Sequence, residues 1–386
     1  MKRAKSFFSN ENVILWCYVI IAVIIGVQHF AGGPPKYNNF TIFRAAFPHL
    51  LEGRNLYLEY PGEYSDLFLY FPAFAVLFLP FSLLPALPAL LLWLVFCALA
   101  LLFSVRNLPI EKDQKTFISW FILIELVTSL HNQQTNPLIA ACGLATFTML
   151  EKRKTAWASL FPVLAFCIKG YGGIFAALFL YYPQKWKFIG YSMIWLLAAS
   201  LLPLPFTGIN GLLQVYRDWL DCITSDHGHN IGFSIMGLVH AWTSPLSQLA
   251  VTMIQLAGLA LLVATLVRRR HAAAGNTEER MAILAYLLLW VIMYNHAAES
   301  PTYIISVTGV AIFYTVYRHT LYPWPKILIW VTLLFTVLAP TDIYPPYLRK
   351  HFFEPYMVKV IPCFLVYILL QIQLFSHGTT TDKQKS

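Results

Sequence analysis

The sequence predicts an all-α fold, a polytopic helical membrane protein with about 12 transmembrane helices and an amphipathic helix in its first outer loop. Three observations predict it. Hydrophobic residues make up 58% of the chain and charged residues only 12%, which rules out an ordinary soluble domain. Apolar runs recur from end to end, and because a bilayer offers no water to lone backbone groups such runs must be helical; no alternating barrel pattern is present. Lys and Arg collect in short loops, so the net charge of +9 reads as a cytoplasmic face obeying the positive-inside rule, with no nucleic-acid partner.

Taken in order, MKRAKSFFSNEN resembles the start of a signal peptide, but the apolar stretch after it ends at Gln28 and His29 without a small-residue cleavage pattern. Residues 13–27 therefore read as a retained anchor. Next comes a long polar interruption, YNNFTIFRAAFPHLLEGRNLYLEYPGEYSDLFLYFP. In it Phe40, Phe43, Phe47, Leu50 and Leu51 fall on one helical face, with Arg44 and Glu52 elsewhere, Pro48 as a kink and Gly53 as a stop. That pattern is a short helix lying on the membrane surface, or more plainly a loop anchor.

Basic loops at 1–5, 151–154, 184–187, 268–271, 318–326 and the terminal DKQK are assigned to the cytoplasm. Between them the runs pair off as 155–168 with 171–183, 188–203 with 246–267, 281–295 with 303–317, and 327–340 with 357–375. The second pair encloses a long outer loop, 205–245. The N-terminal third does not close so simply, because four runs (69–85, 87–105, 116–130, 136–150) lie where an odd number of crossings is required. Either the proline-bearing 69–85 or the neighbourhood of HNQQTNP is then a re-entrant or interfacial segment beside a cavity. The six cysteines have no metal-ligand spacing and read as packing residues. The chain is one membrane domain, 1–375, with a short cytoplasmic tail, 376–386.

Several segments together resemble a known family. The series N-F-x-x-F-x-A-A…L-x-x-G-x-x-L-Y over 39–57, Y-x-P-A at 70–73 and P-F-S-L-L-P at 80–85 look like the first-loop signature of glycosyltransferase family 87, within the multi-spanning GT-C class. NQQTNPLIAA (132–141) is similar to the family's G-Q-x-N-P segment, FCIKGYGG (166–173) resembles its K-P-x turn, and NHAAESPTY (295–303) sits where the family carries a His-containing outer turn. Each piece is short; their order and topology carry the resemblance over most of the chain.

The resemblance implies a GT-C-like hexosyltransferase of inverting type in the inner (plasma) membrane. It would move a sugar, typically mannose, from a polyprenyl-phosphate donor to a glycan or glycolipid acceptor on the outer face. A lipid phosphate leaving group needs cations near the outer interface, and the acceptor hydroxyl needs a carboxylate base. No cofactor or metal is called for, since Arg and Lys can carry the leaving charge and no D-x-D or His-rich cluster appears. The chain departs from the family at Asn39, where the presumed base is usually Asp. Asp66 is the first candidate to replace it, ahead of Glu63 and Glu59, and each also reads as a plain solvated acid.

Lys169, between two apolar runs and beside GYGG, is the candidate donor-phosphate ligand, with Arg44, Arg54 and His296; it also reads as a snorkelling lysine. Tyr57, Gln133, Asn136, Glu299, Asp226 and His227 are candidate substrate-binding residues. Glu125, inside an apolar run, is a functional candidate by default or pairs with a neighbouring helix through His131 or a backbone group. Broken helices and intramembrane acids also suit a transporter or lipid flippase, and Asn39 suits a catalytically inactive relative that binds polyprenyl lipid. Topology is directly testable. Cysteines placed at Ser65 and Ser225 are expected to react with an impermeant thiol reagent from outside and one at Thr380 not to; the reverse pattern would invert the assignment.

Overall fold

The structure, a computed structural model, describes residues 7–225, 231–319 and 323–376, and all regular elements among them are helical. α1 (Glu11–Ala31) opens at Asn10, whose side-chain oxygen accepts from the Asn12 amide, a standard N-cap. It outruns the predicted 13–27 at both ends. There follow α2 (Asn38–Leu51), α3 (Pro72–Leu77), α4 (Leu79–Ser82), α5 (Ala86–Arg106), α6 (Lys112–His131), α7 (Asn136–Glu151) and α8 (Thr155–Ile168). A 3-10 helix (Gly170–Tyr181) leads into α9 (Lys185–Leu201), α10 (Leu204–Ser225), α11 (Ile235–Trp242), α12 (Gln248–Arg268), α13 (Thr277–Met293) and α14 (Tyr303–Tyr317). The last two are α15 (Trp324–Thr332), prolonged by a π turn (Leu333–Val337), and α16 (Val360–Ser376).

By length and composition α1, α5 and α12 can each cross a membrane, and α9 with α10, bent by 90°, makes a fourth candidate if the pair is one span. Gly208, at φ 65°, sits in the first turns of α10, a conformation suited to glycine.

One alternative is resolved and two expectations are revised. The irregularity among the N-terminal runs is 69–85, where Pro72, Pro80 and Pro85 break the chain into the short α3 and α4 by removing backbone donors. HNQQTNP is instead a tight turn between two well-formed helices, α6 and α7. The supposed loop 205–245 is largely helical, since α10 and α11 occupy most of it. In α2, Phe40, Phe43, Phe47 and Leu50 are buried but Leu51 is 53% exposed. The buried face is set by Ile42, Ala46 and His49 as well.

The bundle has two chemically distinct ends. At one, Lys112 pairs with Glu11 at 3.2 Å, Arg106 donates to the Glu11 carbonyl, and the mostly buried pairs Arg280–Glu151 (2.7 Å) and Arg269–Glu279 (2.6 Å) bridge helix ends. At the other end His29 meets His131, and Asn136 meets Lys169. α1 and α5 therefore run antiparallel, with Gly26 of α1 against Leu91 and Leu94.

α13 and α14 form the centre. Residues 281–289 of α13 and 303–313 of α14 are buried almost without interruption, the pattern of helices enclosed on all sides. Lipid is as apolar as leucine, so such pairs are held by close packing and small residues at the contact. Gly309 supplies this: a Cβ there would stand 2.9 Å from the Ala285 carbonyl oxygen and 3.0 Å from Leu288 Cβ. Gly309→Val is expected to cost about 1–3 kcal/mol through overpacking, read as a lower melting temperature of the detergent-purified protein. Unchanged melting would show that this contact tolerates separation.

Candidate functional site

The non-basic end is organised around the turn 132–135 between α6 and α7. His131 contacts His29 through ring nitrogens 2.9 Å apart, while the other nitrogen of His29 lies 2.6 Å from the Lys36 carbonyl. The Gln133 carbonyl accepts from the Trp93 indole at 3.0 Å. Asn39 donates to the Asn132 carbonyl at 2.9 Å, which ties the start of α2 to the same turn. Asn38 makes a reciprocal pair with the Ser65 backbone, donating at 2.6 Å and accepting at 2.9 Å. This clamp fixes the chain one residue before Asp66.

Asp66 has φ 82° and Gln133 φ 49°, both in the left-handed region that ordinary residues visit at a cost. The Asp66 carboxylate accepts from the Leu67 amide at 2.7 Å and is otherwise unpartnered among the described residues.

From the turn a polar chain crosses to two further elements. Lys169 donates to Asn136 at 3.0 Å, Asn136 donates to Gln134, and Gln134 donates to the Glu299 carboxylate at 2.6 Å. The Tyr70 and Thr135 hydroxyls lie 3.5 Å apart. Burial raises the Tyr70 phenol pKa, the Thr135 contact opposes this, and the charges of Glu299 and Asp66 add to the rise. The Tyr171 hydroxyl is buried without a hydrogen-bond partner among the described residues, although Glu299 and Tyr70 act on it electrostatically. In the turn after α8, desolvation brings Lys169 down to about 8, partly offset by Glu299.

Directly beside this cluster lies an apolar cavity of about 700 Å³ lined by Phe74, Phe78, Trp93, Leu138 and Ile168 among others. Ile168 precedes Lys169, Leu138 is two residues from Asn136, and Phe74 stacks on Tyr70 with centroids 4.5 Å apart. Leu77, Phe96 and Phe103, also on its wall, are among the exposed hydrophobics, so the cavity opens sideways from the bundle. Such a site suits an amphiphile with an anionic head and a long apolar tail.

The other candidates distribute unevenly. Glu63 bonds His49 at 2.8 Å and Arg54 at 3.0 Å; desolvation works against its charge, but these bonds hold its carboxyl below the usual range. Arg54 also stacks over Tyr60 at 4.4 Å. Arg44 donates to the Leu84 carbonyl at 3.1 Å, bracing the proline-rich return. Neither arginine is joined to Lys169 by these contacts. Glu59 is exposed, His296 contacts Gln255 at 3.1 Å, and Tyr57 donates to the Tyr70 carbonyl at 3.1 Å. Asp226 and His227 lie outside the described residues. Glu125 pairs with Lys359 at 2.7 Å, not with His131. Glycine in GYGG serves packing: a Cβ on Gly172 would stand 2.7 Å from Ala165. Tyr70, Tyr171 and Gln134 were missed as site residues although each lies inside a quoted motif.

A model of glycosyltransferase family 87 matches residues 68–294, more than half of the 386, while no curated protein matches the chain. The chain belongs to glycosyltransferase family 87 and is a membrane glycosyltransferase. The matched stretch holds Tyr70, Gln134, Asn136, Lys169 and Tyr171, and stops short of Asp66 on one side and Glu299 on the other.

Lys169 gives a pH signature. With its pKa at about 8 in the fold against 10.5 ordinarily, the unfolded chain binds more protons between those values, so stability rises with pH across that window. Below about 8 both states are protonated and the burial penalty is fully present. Lys169→Met is expected to raise stability near pH 7 and to flatten the rise above pH 8, checked by melting temperature against pH. Parallel curves for parent and variant would show a solvated ammonium.

Proposed function

We propose that this member of glycosyltransferase family 87 transfers a hexose, mannose or similar, from a polyprenyl-phosphate donor to a hydroxyl of a glycan or glycolipid acceptor outside the cytoplasm. The observation that carries this reading is the contact between the apolar cavity and the polar chain ending at Lys169. The polyprenyl tail occupies the cavity and its phosphate meets Lys169. The acceptor oxygen attacks the anomeric carbon, the carbon–phosphate oxygen bond breaks, and a carboxylate takes the acceptor proton, with inversion. Lys169 neutralises the charge that develops on the leaving phosphate. The orphan Tyr171 hydroxyl and Asn136 complete the donor's hydrogen bonds.

Asp66 is the base we favour, ahead of Glu59 and of Glu63, whose oxygens are already engaged by His49 and Arg54. Its strained backbone and largely unpaired carboxylate support that ranking, as does its electrostatic reach to Tyr70. Asn39 has become a strut to Asn132, so an acid is not needed at its position to hold α2. Arg44, Arg54 and His296 are left with supporting roles around the donor.

In this reading about 12 helices cross the plasma membrane as one domain, both termini are cytoplasmic, and α3 and α4 dip without crossing. The two chemically different ends of the bundle support it, since the basic end carries the arginine and lysine loops. They also weigh against a transporter, whose polar groups would line a path through the middle.

The test is transfer of radiolabelled sugar from a synthetic polyprenyl-phosphate donor by the purified protein. Asp66→Asn is expected to lower kcat by about 10²–10⁴-fold, and Lys169→Met to lower donor use by about 10- to 150-fold, the loss of one charge-assisted hydrogen bond. Normal turnover in both variants would move the site elsewhere. Donor binding without transfer by the parent would identify an inactive relative.

A further inference from the structure

We propose that the buried pair Glu125–Lys359 is a positioning device for transfer, holding the Glu299 turn against the 132–136 segment. The idea rests on the reading of that polar chain as the donor site. Lys359 is 5% exposed and Glu125 fully buried, with the ammonium 2.7 Å from the carboxylate. The same ammonium donates to the Ser300 hydroxyl at 2.9 Å and lies 5.2 Å from the centre of the Tyr303 ring.

One nitrogen therefore joins α6, the start of α16 and the turn that carries Glu299. Glu125 sits on α6, the helix that ends at His131 just before Gln134, and Ser300 follows Glu299 directly. Gln134 and Glu299 meet at 2.6 Å. Lys359 thus bonds the residue next to Glu299 on one side and, through Glu125, the helix that leads into the Gln134 turn on the other. The Thr302 hydroxyl accepts from the Glu299 amide at 2.9 Å, which closes the turn on itself.

Helix packing alone does not explain the pair. Replacing a buried ion pair by apolar side chains of similar size is often neutral or stabilising, whereas removing one partner strands a charge. The second Glu125 oxygen is buried with no partner among the described residues. A hydrogen-bonding end at Ser300 is what an apolar substitute cannot reproduce.

Three variants separate positioning from structure: Ser300→Ala, Ser300→Thr and the double Glu125→Leu with Lys359→Met. Ser300→Ala is expected to melt like the parent but to lose about 10-fold in kcat with donor KM within about twofold, because an aligned leaving-group site acts in the transition state. Ser300→Thr keeps the hydroxyl and is expected to restore kcat. The double variant is expected to melt at or above the parent and to show the same kcat loss. Amide hydrogen exchange over 296–302, which needs no activity, is expected to quicken in Ser300→Ala and in the double variant. Parent kcat and parent exchange in Ser300→Ala would overturn the proposal, even if the double variant failed to fold. A parent that never uses the polyprenyl donor, while exchange responds as described, would instead overturn the proposed function.

Discussion

Much of the polar end depends on how the turn 132–135 satisfies its own hydrogen bonds. Groups withdrawn from water must find partners within the protein, and this turn finds them in unusually diverse places. It accepts from Asn39 of α2 and Trp93 of α5, and its side chains reach Glu299 before α14 and Tyr70 before α3. Elements remote in sequence are thereby registered on a few peptide units. Asn38 then transmits that register to Ser65 and the first-loop return.

Aromatic packing explains how so polar a cluster sits against an apolar cavity. Phe43 stands at the centre, with Tyr70, Phe74, Phe78 and Trp93 all within 6.0 Å between ring centroids. Mostly edge-to-face contacts of this kind add to simple burial. Trp93, on the cavity wall, donates to the turn, and Tyr70 meets the turn at Thr135 while stacking on the cavity-lining Phe74, so the two environments share these side chains. An amphiphile bound across it would have its change of polarity matched by that of the protein.

Helix existence was legible in the sequence because uninterrupted apolar runs leave the backbone no other solution. Which of the four N-terminal runs would break was not, since both proline-rich 69–85 and the polar HNQQTNP offered a reason; the three prolines won. In the site, Lys169, Asn136 and Glu299 were recognisable as chemistry in quoted motifs, yet nothing in the sequence revealed that Gln134 would join them. Lys359 had no local signal whatever. Its partner Glu125 lies 234 positions away, and only the packing of α16 against the central pair brings them together. Arg54 and Glu63 had looked like free site residues because their pairing with each other and with His49 depends on the fold of the first loop.

The 3-10 helix has a mechanical consequence for the surrounding lipid. Its 12 residues rise about 2.0 Å each, roughly 24 Å in all, while the 14 residues of α8 at 1.5 Å reach about 21 Å. Where this hairpin crosses as proposed, both legs fall short of a hydrocarbon core of about 30 Å. The bilayer alongside would then be pinched, because lipids thin to meet a short hydrophobic span. Such a dimple would lie beside the cavity wall at Ile168, with Lys169 at the hairpin's tip. A hairpin inserted in that way would make the protein sensitive to acyl-chain length, and membrane thickness would set how deep a lipid head must sink to reach Lys169.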